Sequence, residues 1–565
     1  MTGARRTPTS GYRGDVTPDE LTTPTHAASP TGDTVTTASD DERFPQSVAS
    51  GGPTANGVVL WTRLSPDSVG GDTSDDEDSA ELVVEVAEDD SFADSVVEGT
   101  VPTDRYGPGT GHTVRVDVDG HLDPDTEYAY RFVHGGVASR TGHCRTLPAP
   151  DASPDSLRLA VVACQDYENG YYGAFSHVAA EDVDFLLHLG DVVYESAANL
   201  FGAGDGPVAG HELELPSGEP MASSLADYRY LHGTYRRDPH LQRALEAHTL
   251  VAGWDDHEIA DDRYWDRTLD APVVPDHDRG ADPRYATDLT DAGIRAFHEF
   301  VPIRVRYDDD ADHVHDRFRL YRSLRFGDLL DLLVTDQRFY RDGPPSPTVT
   351  LAGATFGLGV DDDADRTMLG RDQREWFGRQ ARSSEARWLT WASAVLTQPF
   401  RVGVGPLSVH PKVGATWDGY AAERRRLFAD LGAADPAVVT LSGDLHTYVV
   451  GTQRLGGADG PAVGTEFMTP AVTSVNIAEN AGVASGALAR LTRPLFRQLF
   501  PAMNPEMAFF DSHDWGYSVV EFTREDCTYT AYAVDKTDDT ADADRRELVR
   551  FRRSHDDPVP ERVRE

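Results

Sequence analysis

Residues 185–194 read Phe-Leu-Leu-His-Leu-Gly-Asp-Val-Val-Tyr, a short apolar run that leads directly into Gly190 and Asp191. Short apolar runs bounded by turn residues are typical of strands buried on both faces of a parallel sheet. The same arrangement recurs in three further runs, Leu157–Ala163, Leu250–Trp254 and Val438–Leu441. Helical patterns lie between the runs, so the sequence predicts an α/β domain over residues 155–540.

Residues able to bind metals or protons follow each of the four runs. They are Cys164-Gln165-Asp166, Asp191 with Tyr194, Asp255-Asp256-His257-Glu258, and Asp444 with His446. Ligands of open α/β sheets bind outside the carboxyl ends of the strands, so these groups are expected to converge. Each motif alone has little weight, because a lone cysteine after a strand is more often a small buried residue than a ligand. Their shared placement predicts an active site.

The rest of the chain divides by composition into three regions. Residues 1–40 are rich in Thr, Ser, Pro, Gly and Asp, which predicts a disordered leader. Residues 41–147 contain short alternating runs such as Leu82–Val86 and Glu127–Phe132, separated by turn residues, which predicts a small β-sandwich. Residues 541–565 are charged and poor in apolar side chains, so we expect a frayed tail there.

The charge balance is extreme. The 95 acidic and 52 basic side chains give a formal charge of −43, and Lys412 and Lys536 are the only lysines. This composition resembles proteins of salt-loving archaea, where self-repulsion is tolerable because the Debye length at about 1 M salt is about 3 Å. The sequence has no basic stripe that would release counterions from a phosphate backbone, so nucleic acid is not an expected partner.

The sequence was also searched for segments that would span a membrane or direct export. It has no apolar run of about 18 residues or more, the length that predicts a membrane span. Arg5-Arg6 is followed by a polar stretch instead of the apolar run of an export signal, so the chain as written is expected to be cytoplasmic. The three cysteines, Cys144, Cys164 and Cys527, allow at most one disulfide. No pattern indicates an oligomeric state.

Three blocks of the sequence resemble those of the PhoD-like alkaline phosphatases, a branch of the calcineurin-like metallophosphoesterases: Gly190-Asp191-x-x-Tyr194, Trp254-Asp255-Asp256-His257-Glu258 and Ser442-Gly443-Asp444-x-His446. Further similar blocks include Phe44–Gly51, Asp336-Gln337-Arg338 and Glu466–Pro470, so the resemblance covers most of the chain. It implies a four-layer α/β/β/α sandwich behind a small N-terminal β domain. It also implies phosphate-ester hydrolysis at a metal cluster, and export by the twin-arginine route.

The resemblance assigns the metal ligands position by position. Cys164 stands where the wider superfamily has its first Asp, Asp256 where it has an Asn, and Asp444 where it has the first His of the last motif. The first metal would then take Cys164, Asp191, Tyr194 and His446. The second metal would share Asp191 and add Asp256 and Asp444.

The charge of this ligand set limits the choice of metals. Ionised Cys164, Asp191, Tyr194, Asp256 and Asp444 would bring five negative charges, more than a single divalent ion compensates. A phenolate and a thiolate on one centre suit ferric iron, whereas the remaining oxygen ligands suit a hard cation, calcium before zinc. The resemblance also implies Fe³⁺ with Ca²⁺, and Mg²⁺ or Mn²⁺ are alternatives at the second site.

The expected reaction is attack on phosphorus by a metal-bound hydroxide, because a bound cation lowers the pKa of water from about 15.7 to about 7. His257 is expected to contact the substrate oxygen or the leaving group, or else to bond a carboxylate as a structural residue, with Glu258 supporting it. Arg338 has two open roles. It is placed to bind phosphate oxygens, or to pair with Asp336 or another acid.

Two alternatives to a phosphomonoesterase remain at this point. The same hydroxide would attack a diester, so a phosphodiesterase or phospholipase-type enzyme is the first alternative. The second is a calcium-stabilised binding protein without turnover, in which the β domain would be the binding domain. The partners expected from the main hypothesis are small-molecule phosphate esters.

Overall fold

The structure is a computed structural model that describes residues 12, 14–23, 36–37, 43–68, 81–204, 206–345, 348–351, 354–357, 360–403, 408–411 and 415–564. Most of the leader predicted for residues 1–40 lies outside these ranges. The described part of the leader is ordered: Asp15 and Val16 pair with Arg115 and Val116, and the Tyr12 hydroxyl donates to Glu299.

Strands account for most of the regular structure, and helices connect several of them. In chain order the strands are β1 (Asp15–Val16), β2 (Thr36–Thr37), β3 (Val48–Thr54), β4 (Gly57–Arg63), β5 (Leu82–Ala87), β6 (Ser95–Val101), β7 (Thr113–Asp117), β8 (Glu127–His134), β9 (Val137–Ala138), β10 (Gly142–Arg145), β11 (Ser156–Val162), β12 (Phe185–His188), β13 (Leu250–Ala252), β14 (Tyr264–Asp266), β15 (Ala271–Val273), β16 (Arg306–Tyr307), β17 (Phe318–Arg319), β18 (Arg322–Phe326), β19 (Leu330–Val334), β20 (Thr348–Leu351), β21 (Ala354–Gly357), β22 (Trp388–Val395), β23 (His410–Pro411), β24 (Ala437–Gly443), β25 (Tyr448–Arg454), β26 (Ala462–Met468), β27 (Met507–Asp511), β28 (Trp515–Thr523), β29 (Asp526–Val534), β30 (Arg545–Ser554) and β31 (Glu561–Arg562). The helices are α1 (Gly173–Ala179), α2 (Leu225–Tyr235), α3 (Pro239–Ala247), α4 (Pro283–Phe300), α5 (Val314–Arg317), α6 (Arg371–Ser383), α7 (Ala421–Gly432), α8 (Ile477–Asn480) and α9 (Gly486–Met503).

Two large sheets form the centre of the molecule. The 11-stranded sheet has the order β1-β7-β4-β3-β13-β12-β11-β28-β29-β30-β31, and the 7-stranded sheet has the order β18-β19-β22-β24-β26-β25-β27. Strands β13, β12 and β11, which contain three of the four apolar runs, are parallel neighbours, whereas the fourth run lies in β24 of the other sheet. The fold is therefore the α/β architecture expected from the sequence.

Strand β11 shows how the layers are built. Successive side chains of a strand point to opposite faces. Leu159 and Val161 pack in the core between the two sheets, whereas Ala160 and Val162 pack in the core beneath the helices. Helices α1 and α3 cover this outer face, and α6 and α7 cover the outer face of the 7-stranded sheet. The result is the four-layer sandwich that the resemblance implied.

The N-terminal β-sandwich packs a sheet of β2, β9, β8, β5 and β6, with β10 added on β8, over the β1-β7-β4-β3 end of the 11-stranded sheet. A separate apolar core that includes Val84, Phe132 and Val116 lies between the two sheets. Strand β3 also pairs with β13 at Gly51 and Leu250. The sandwich is thus joined edge to edge with the sheet that carries the predicted site.

The expectation of a frayed tail after residue 540 is wrong for β30. This strand pairs along its length with β29, and Val549 and Phe551 are buried between the sheets. The alternation was hidden because arginine and glutamate occupy most of the other positions. Among the described residues, none of the helices combines the length and apolar character needed to cross a bilayer. All three cysteines are buried and unbridged.

Candidate metal centre

The predicted site forms where the ends of four strands meet. The register places Val162, His188 and Ala252 side by side at the ends of β11, β12 and β13. Strand β24 of the other sheet ends at Gly443, where an added Cβ would lie 3.1 Å from the Cβ of Ala163. The chain segments that follow these strands are therefore brought to one edge of the sandwich.

The backbone at this edge is unusual. Cys164, Asp191, Asp444 and His446 all have positive φ angles, between 53° and 69°. Residues other than glycine rarely adopt this conformation, and it is concentrated at functional sites. Gly190 is required just before Asp191, because its φ is 144° and an added Cβ would lie 2.5 Å from the backbone nitrogen of Asp255. The turns direct the side chains toward one another.

The structure brings together all four residues assigned to the first metal. Ligand atoms of Cys164, Asp191 and His446 lie within 4.8 Å of one another. The Tyr194 hydroxyl lies 3.2 Å from Oδ2 of Asp191 and 3.5 Å from Nε2 of His446. Nδ1 of His446 is 2.6 Å from the carbonyl oxygen of Val475, so this nitrogen carries the proton and Nε2 is left as the ligand atom.

The residues assigned to the second metal form an adjoining cluster. Ligand atoms of Asp191, Asp256 and His257 lie within 4.8 Å of one another, as do those of Asp255, Asp256 and Asp444. Asp191 belongs to both clusters, which is the position that a bridging carboxylate requires. Asp256 connects Asp191 to Asp444 on the other sheet.

Arg338 is buried against the second cluster. Its guanidinium donates to both carboxylate oxygens of Asp255 and, at 2.6 Å, to Oδ1 of Asp444, and it lies 3.2 Å from Oδ2 of Asp256. Asp336 is not its side-chain partner, since that carboxylate accepts from the backbone N–H of Arg338. Of the two roles left open by the sequence, these contacts match the pairing with other acids.

His257 is supported by a residue that the sequence did not indicate. Nδ1 of His257 lies 2.7 Å from Oε2 of Glu195. Glu258, the support expected from the sequence, instead accepts hydrogen bonds from the backbone N–H groups of Val192 and Asp255, so that expectation is wrong. The Glu258 carboxylate thereby holds the loops after β12 and β13 together.

Burial and crowding of acids dominate the electrostatics of the site. Burial raises the pKa of the Cys164 thiol well above its usual value, and the Asp191 carboxylate raises it further. The pKa of the Tyr194 hydroxyl rises for the same two reasons. Burial also raises the pKa values of the Asp191 and Asp255 carboxyls. The anionic forms are disfavoured here unless cations compensate them.

The pKa of His257 is raised as well, but for a histidine this rise favours the charged form. Burial opposes its protonation, but the carboxylates of Glu195 and Asp191 raise its pKa well above the usual value. Nε2 of His257 lies 3.9 Å from Oδ1 of Asp261, too far for a hydrogen bond. The imidazolium therefore has one proton fixed by Glu195 and a second that can be donated elsewhere.

Several residues of the site were not singled out from the sequence. Ser474, in the loop after β26, places its hydroxyl 2.6 Å from that of Tyr194. Asp261 and Asp262 lie close enough to Asp256 to form a further carboxylate cluster. The only available signal was position, because Ser474 also follows a strand of the 7-stranded sheet.

The donor set fits metal ions. A thiol, carboxylates, a phenol and an imidazole nitrogen, all atom types that coordinate cations, are gathered at a buried edge where their charged forms need compensation. Asp191 stands between the two clusters. The adjoining clusters therefore offer ligand atoms for metal ions at this edge of the sandwich.

Comparisons of sequence and of structure with known proteins lead to one family. The family model described as PhoD-like phosphatase matches residues 159–531, and that of its N-terminal domain matches residues 26–148. Alkaline phosphatase D of Bacillus subtilis (strain 168) is 32% identical over 442 residues, which cover 76% of this chain and 69% of the relative. The solved structure of PhoD superposes with a TM-score of 0.77 at 27% identity, covering 94% of this chain and 93% of that one.

Proposed function

Since the chain belongs to the PhoD-like phosphatase family and is a phosphoric ester hydrolase, we propose that hydrolysis takes place at the two adjoining clusters and requires Fe³⁺ and Ca²⁺. Cys164, Asp191, Tyr194 and His446 would hold the iron. Asp191, Asp256 and Asp444 would hold the calcium, with Mg²⁺ or Mn²⁺ as alternatives. The alternative of a binding protein without turnover is set aside by the family assignment.

The chemistry of the donors supports this division of the metals. Thiolate and phenolate are strongly electron-donating anionic ligands, which suit ferric iron, and both lie in the first cluster. The second cluster has carboxylate oxygens, which suit calcium. When bound, the cations lower the pKa of water and stabilise charge on the phosphoryl oxygens.

The residues of the chain have separate tasks in this proposal. Asp191 fixes the relative position of the two metal sites, because its carboxylate faces both. Ser474 donates toward the Tyr194 oxygen and so favours the phenolate. His446 is held in one orientation by the Val475 carbonyl. These contacts pre-organise the ligand atoms before substrate arrives.

His257 is the proposed proton donor. Glu195 holds it as the imidazolium, and its Nε2 lies beyond hydrogen-bond distance of the Asp261 carboxylate. A substrate oxygen that enters beside Asp191 could take this hydrogen bond. His257 would then stabilise the leaving-group oxygen as the phosphorus–oxygen bond breaks.

Arg338 is proposed as a positioning residue and not as a phosphate ligand. Its donors are engaged by Asp255, Asp256 and Asp444, and the residue is 1% exposed. The charge of the guanidinium offsets the crowded carboxylates. It therefore keeps Asp256 and Asp444, which would hold the second cation, on the same side of the site.

The observation that carries the proposal is the approach of Cys164, Asp191 and His446, which come from three separate strand ends, to within 4.8 Å. We expect Asp191→Asn to lower kcat/KM for p-nitrophenyl phosphate by about 1,000-fold or more, because it removes several kcal/mol of charge stabilisation. Asp227→Asn is the matched control, since Asp227 is equally buried but accepts from serine residues away from the site. Equal activity of the two variants would refute the assignment.

We propose phosphate monoesters as the main substrates, in line with the name of the Bacillus relative, alkaline phosphatase D. Turnover of p-nitrophenyl phosphate should exceed that of bis(p-nitrophenyl) phosphate at equal enzyme concentration. A strong preference for the diester would instead favour the phosphodiesterase or phospholipase-type alternative. That result would leave the metal centre in place and change only the substrate class.

A further inference from the structure

A cavity of about 750 Å³, lined by none of the proposed metal ligands, has an unusual charge for this chain. The chain as a whole has 95 acidic residues against 52 basic ones. The cavity reverses this ratio. Its charged lining consists of six arginines and three aspartates: Arg267, Arg306, Arg319, Arg371, Arg374, Arg426, Asp316, Asp365 and Asp372.

Two of these arginines face each other directly. Arg306 in β16 and Arg319 in β17 are cross-strand partners in a two-stranded antiparallel ribbon, and both are exposed. Residues directly opposite each other lie on the same face of the ribbon, with Cβ atoms about 4.5–5.5 Å apart, and like charges in this position are destabilising. Short strands have little pairing energy to offset such repulsion.

The described part of the chain offers no carboxylate as an ion-pair partner to Arg306, Arg319 or Arg426. Arg426, in α7, is exposed and also lines the cavity. The other three arginines of the lining are paired, with Asp342, Glu375 and Glu423. Arg319 also lies over the Tyr321 ring, with its guanidinium carbon 5.5 Å from the ring centre. Three arginines without acidic partners around one cavity leave a local excess of positive charge that suits an anion.

Further groups that suit an anion line the same cavity. Helix α6 begins at Arg371, and its N-cap residue, Gly370, has no side chain to accept from the first N–H groups. The N-terminus of a helix carries a partial positive charge that favours anions. Trp265 and Tyr340 add aromatic surface to the lining. The helix end is a secondary contribution, because the arginines without acidic partners supply most of the positive charge.

We propose that this arginine pocket binds a compound with two linked phosphate groups, at a position separate from the metal centre. The guanidinium groups of Arg306 and Arg319 would each bind one phosphate from the same face of the ribbon, and Arg426 would contact the ligand from α7. Guanidinium is suited to paired contacts with phosphate oxygens. The occupant would also remove the repulsion between the two facing arginines.

The pocket is separate from the metal centre. None of the six proposed metal ligands lines the cavity. A short chain of contacts connects the two: the backbone N–H of Asp262 donates to Asp256, Arg341 lies 3.4 Å from Asp262, and the backbone N–H of Trp265 donates to the Arg341 carbonyl. The inference goes beyond the proposed function, because it adds a second ligand site to the molecule.

The test is isothermal titration calorimetry of the metal-loaded protein with two probes, methylenediphosphonate and the methylene analogue of ADP. The first represents an inorganic diphosphate and the second a nucleotide, so comparing the two probes shows which kind of diphosphate compound the pocket binds. The test variant is Arg306→Ser/Arg319→Ser. The control is Arg284→Ser/Arg490→Ser, which removes the same charge from two exposed arginines outside the cavity.

We expect the wild type and the control to bind at least one of the probes at the pocket, and the test variant to bind it about tenfold more weakly or not at all. The test variant should unfold at the same temperature as the wild type or a higher one without ligand, because the repulsion is gone. Its turnover of p-nitrophenyl phosphate should stay within about twofold of the wild type. Equal probe binding by all three proteins would overturn the proposal, as would absence of binding by the wild type.

Discussion

The hydroxyl oxygens of Ser474 and Tyr194 lie 2.6 Å apart, although 280 residues separate them in the sequence. Tyr194 follows β12 in one sheet, and Ser474 follows β26 in the other. Burial and the Asp191 carboxylate raise the pKa of Tyr194, whereas the hydrogen bond from Ser474 lowers it. Ser474 thus favours the form of Tyr194 that can bind a metal.

Ser474→Ala should weaken iron binding by about 10–100-fold, the usual effect of removing a group that supports a ligand. The measurement is competition for iron with a chelator at fixed pH. Ser518→Ala is the matched control, because Ser518 is another buried serine that bonds a tyrosine, Tyr529, at 3.0 Å but lies away from the centre. Equal iron affinities for the two variants would contradict a role for Ser474.

Glu195→Gln should shift the pH dependence of catalysis. The Glu195 carboxylate raises the pKa of His257, so its removal lets His257 lose its proton at a lower pH. If protonated His257 donates to the leaving group, the alkaline limb of the kcat profile moves to lower pH. Glu246→Gln, a change at a buried glutamate that pairs with Arg140, is the control.

A second variant tests His257 itself. His257→Asn should lower kcat by about 100-fold to 10,000-fold, the range of general acid catalysis. An unchanged alkaline limb in Glu195→Gln together with full activity of His257→Asn would show that this histidine is structural. The kcat of His257→Asn should fall less for a substrate with a better leaving group, because the departure of that group depends less on a proton donor.

Arg338→Met should destabilise the metal-free protein by about 3–5 kcal/mol, because it leaves the buried carboxylates of Asp255, Asp256 and Asp444 without their cation. Arg524→Met, which breaks a surface ion pair with Asp328, should cost about 0–1 kcal/mol. Unfolding in urea measures both. Metal loading should reduce the loss of unfolding free energy in Arg338→Met. An equal loss in the two variants would contradict the role given to Arg338.

The buried, neutral side chain of His188 should make the free energy of unfolding depend on pH in acid. Its Nδ1 accepts from the backbone N–H of Gly190 and its Nε2 lies 3.0 Å from Oε1 of Gln165, so the folded protein holds it neutral. Burial lowers its pKa to about 3. An unfolded histidine has a pKa of about 6.5, so between these values the unfolded chain binds a proton that the folded protein does not.

The stability from His188 is therefore fully present above about pH 6.5 and is lost, by up to about 1.4 kcal/mol per pH unit, as the pH falls toward about 3. The free energy of unfolding of His188→Gln should decline less steeply than that of the wild type from about pH 6 to about pH 4. His143→Gln, at a partly exposed histidine, is the control. Equal slopes for the wild type and His188→Gln would contradict the neutral state.

Much of the site was predictable from the sequence because each apolar run ends directly before the residues of the site. The apolar runs before Cys164, Asp191, Asp255 and Asp444 had the length and composition of buried strands, and the ends of parallel strands share one edge. The convergence followed from this geometry. The α/β class followed from the same runs, whereas the four layers were implied by the family resemblance.

The errors concern contacts that no local pattern encodes. Glu195 supports His257 from another loop, although Glu258 is its neighbour in sequence. Which acid a buried arginine pairs with depends on how loops from two sheets approach, so the partners of Arg338 could not be read from Asp336. Strand β30 was missed because arginine and glutamate surround Val549 and Phe551, the two apolar side chains that it buries, and because its pairing with β29 leaves no local pattern.

The most direct test of the metal centre is the visible spectrum and elemental content of the purified protein, compared with Tyr194→Phe. The account predicts that the wild type contains iron and is coloured by a ferric phenolate, and that Tyr194→Phe remains folded while losing or strongly weakening this absorption. A colourless wild-type protein containing only zinc or magnesium, or a Tyr194→Phe spectrum identical to that of the iron-containing wild type, would contradict it.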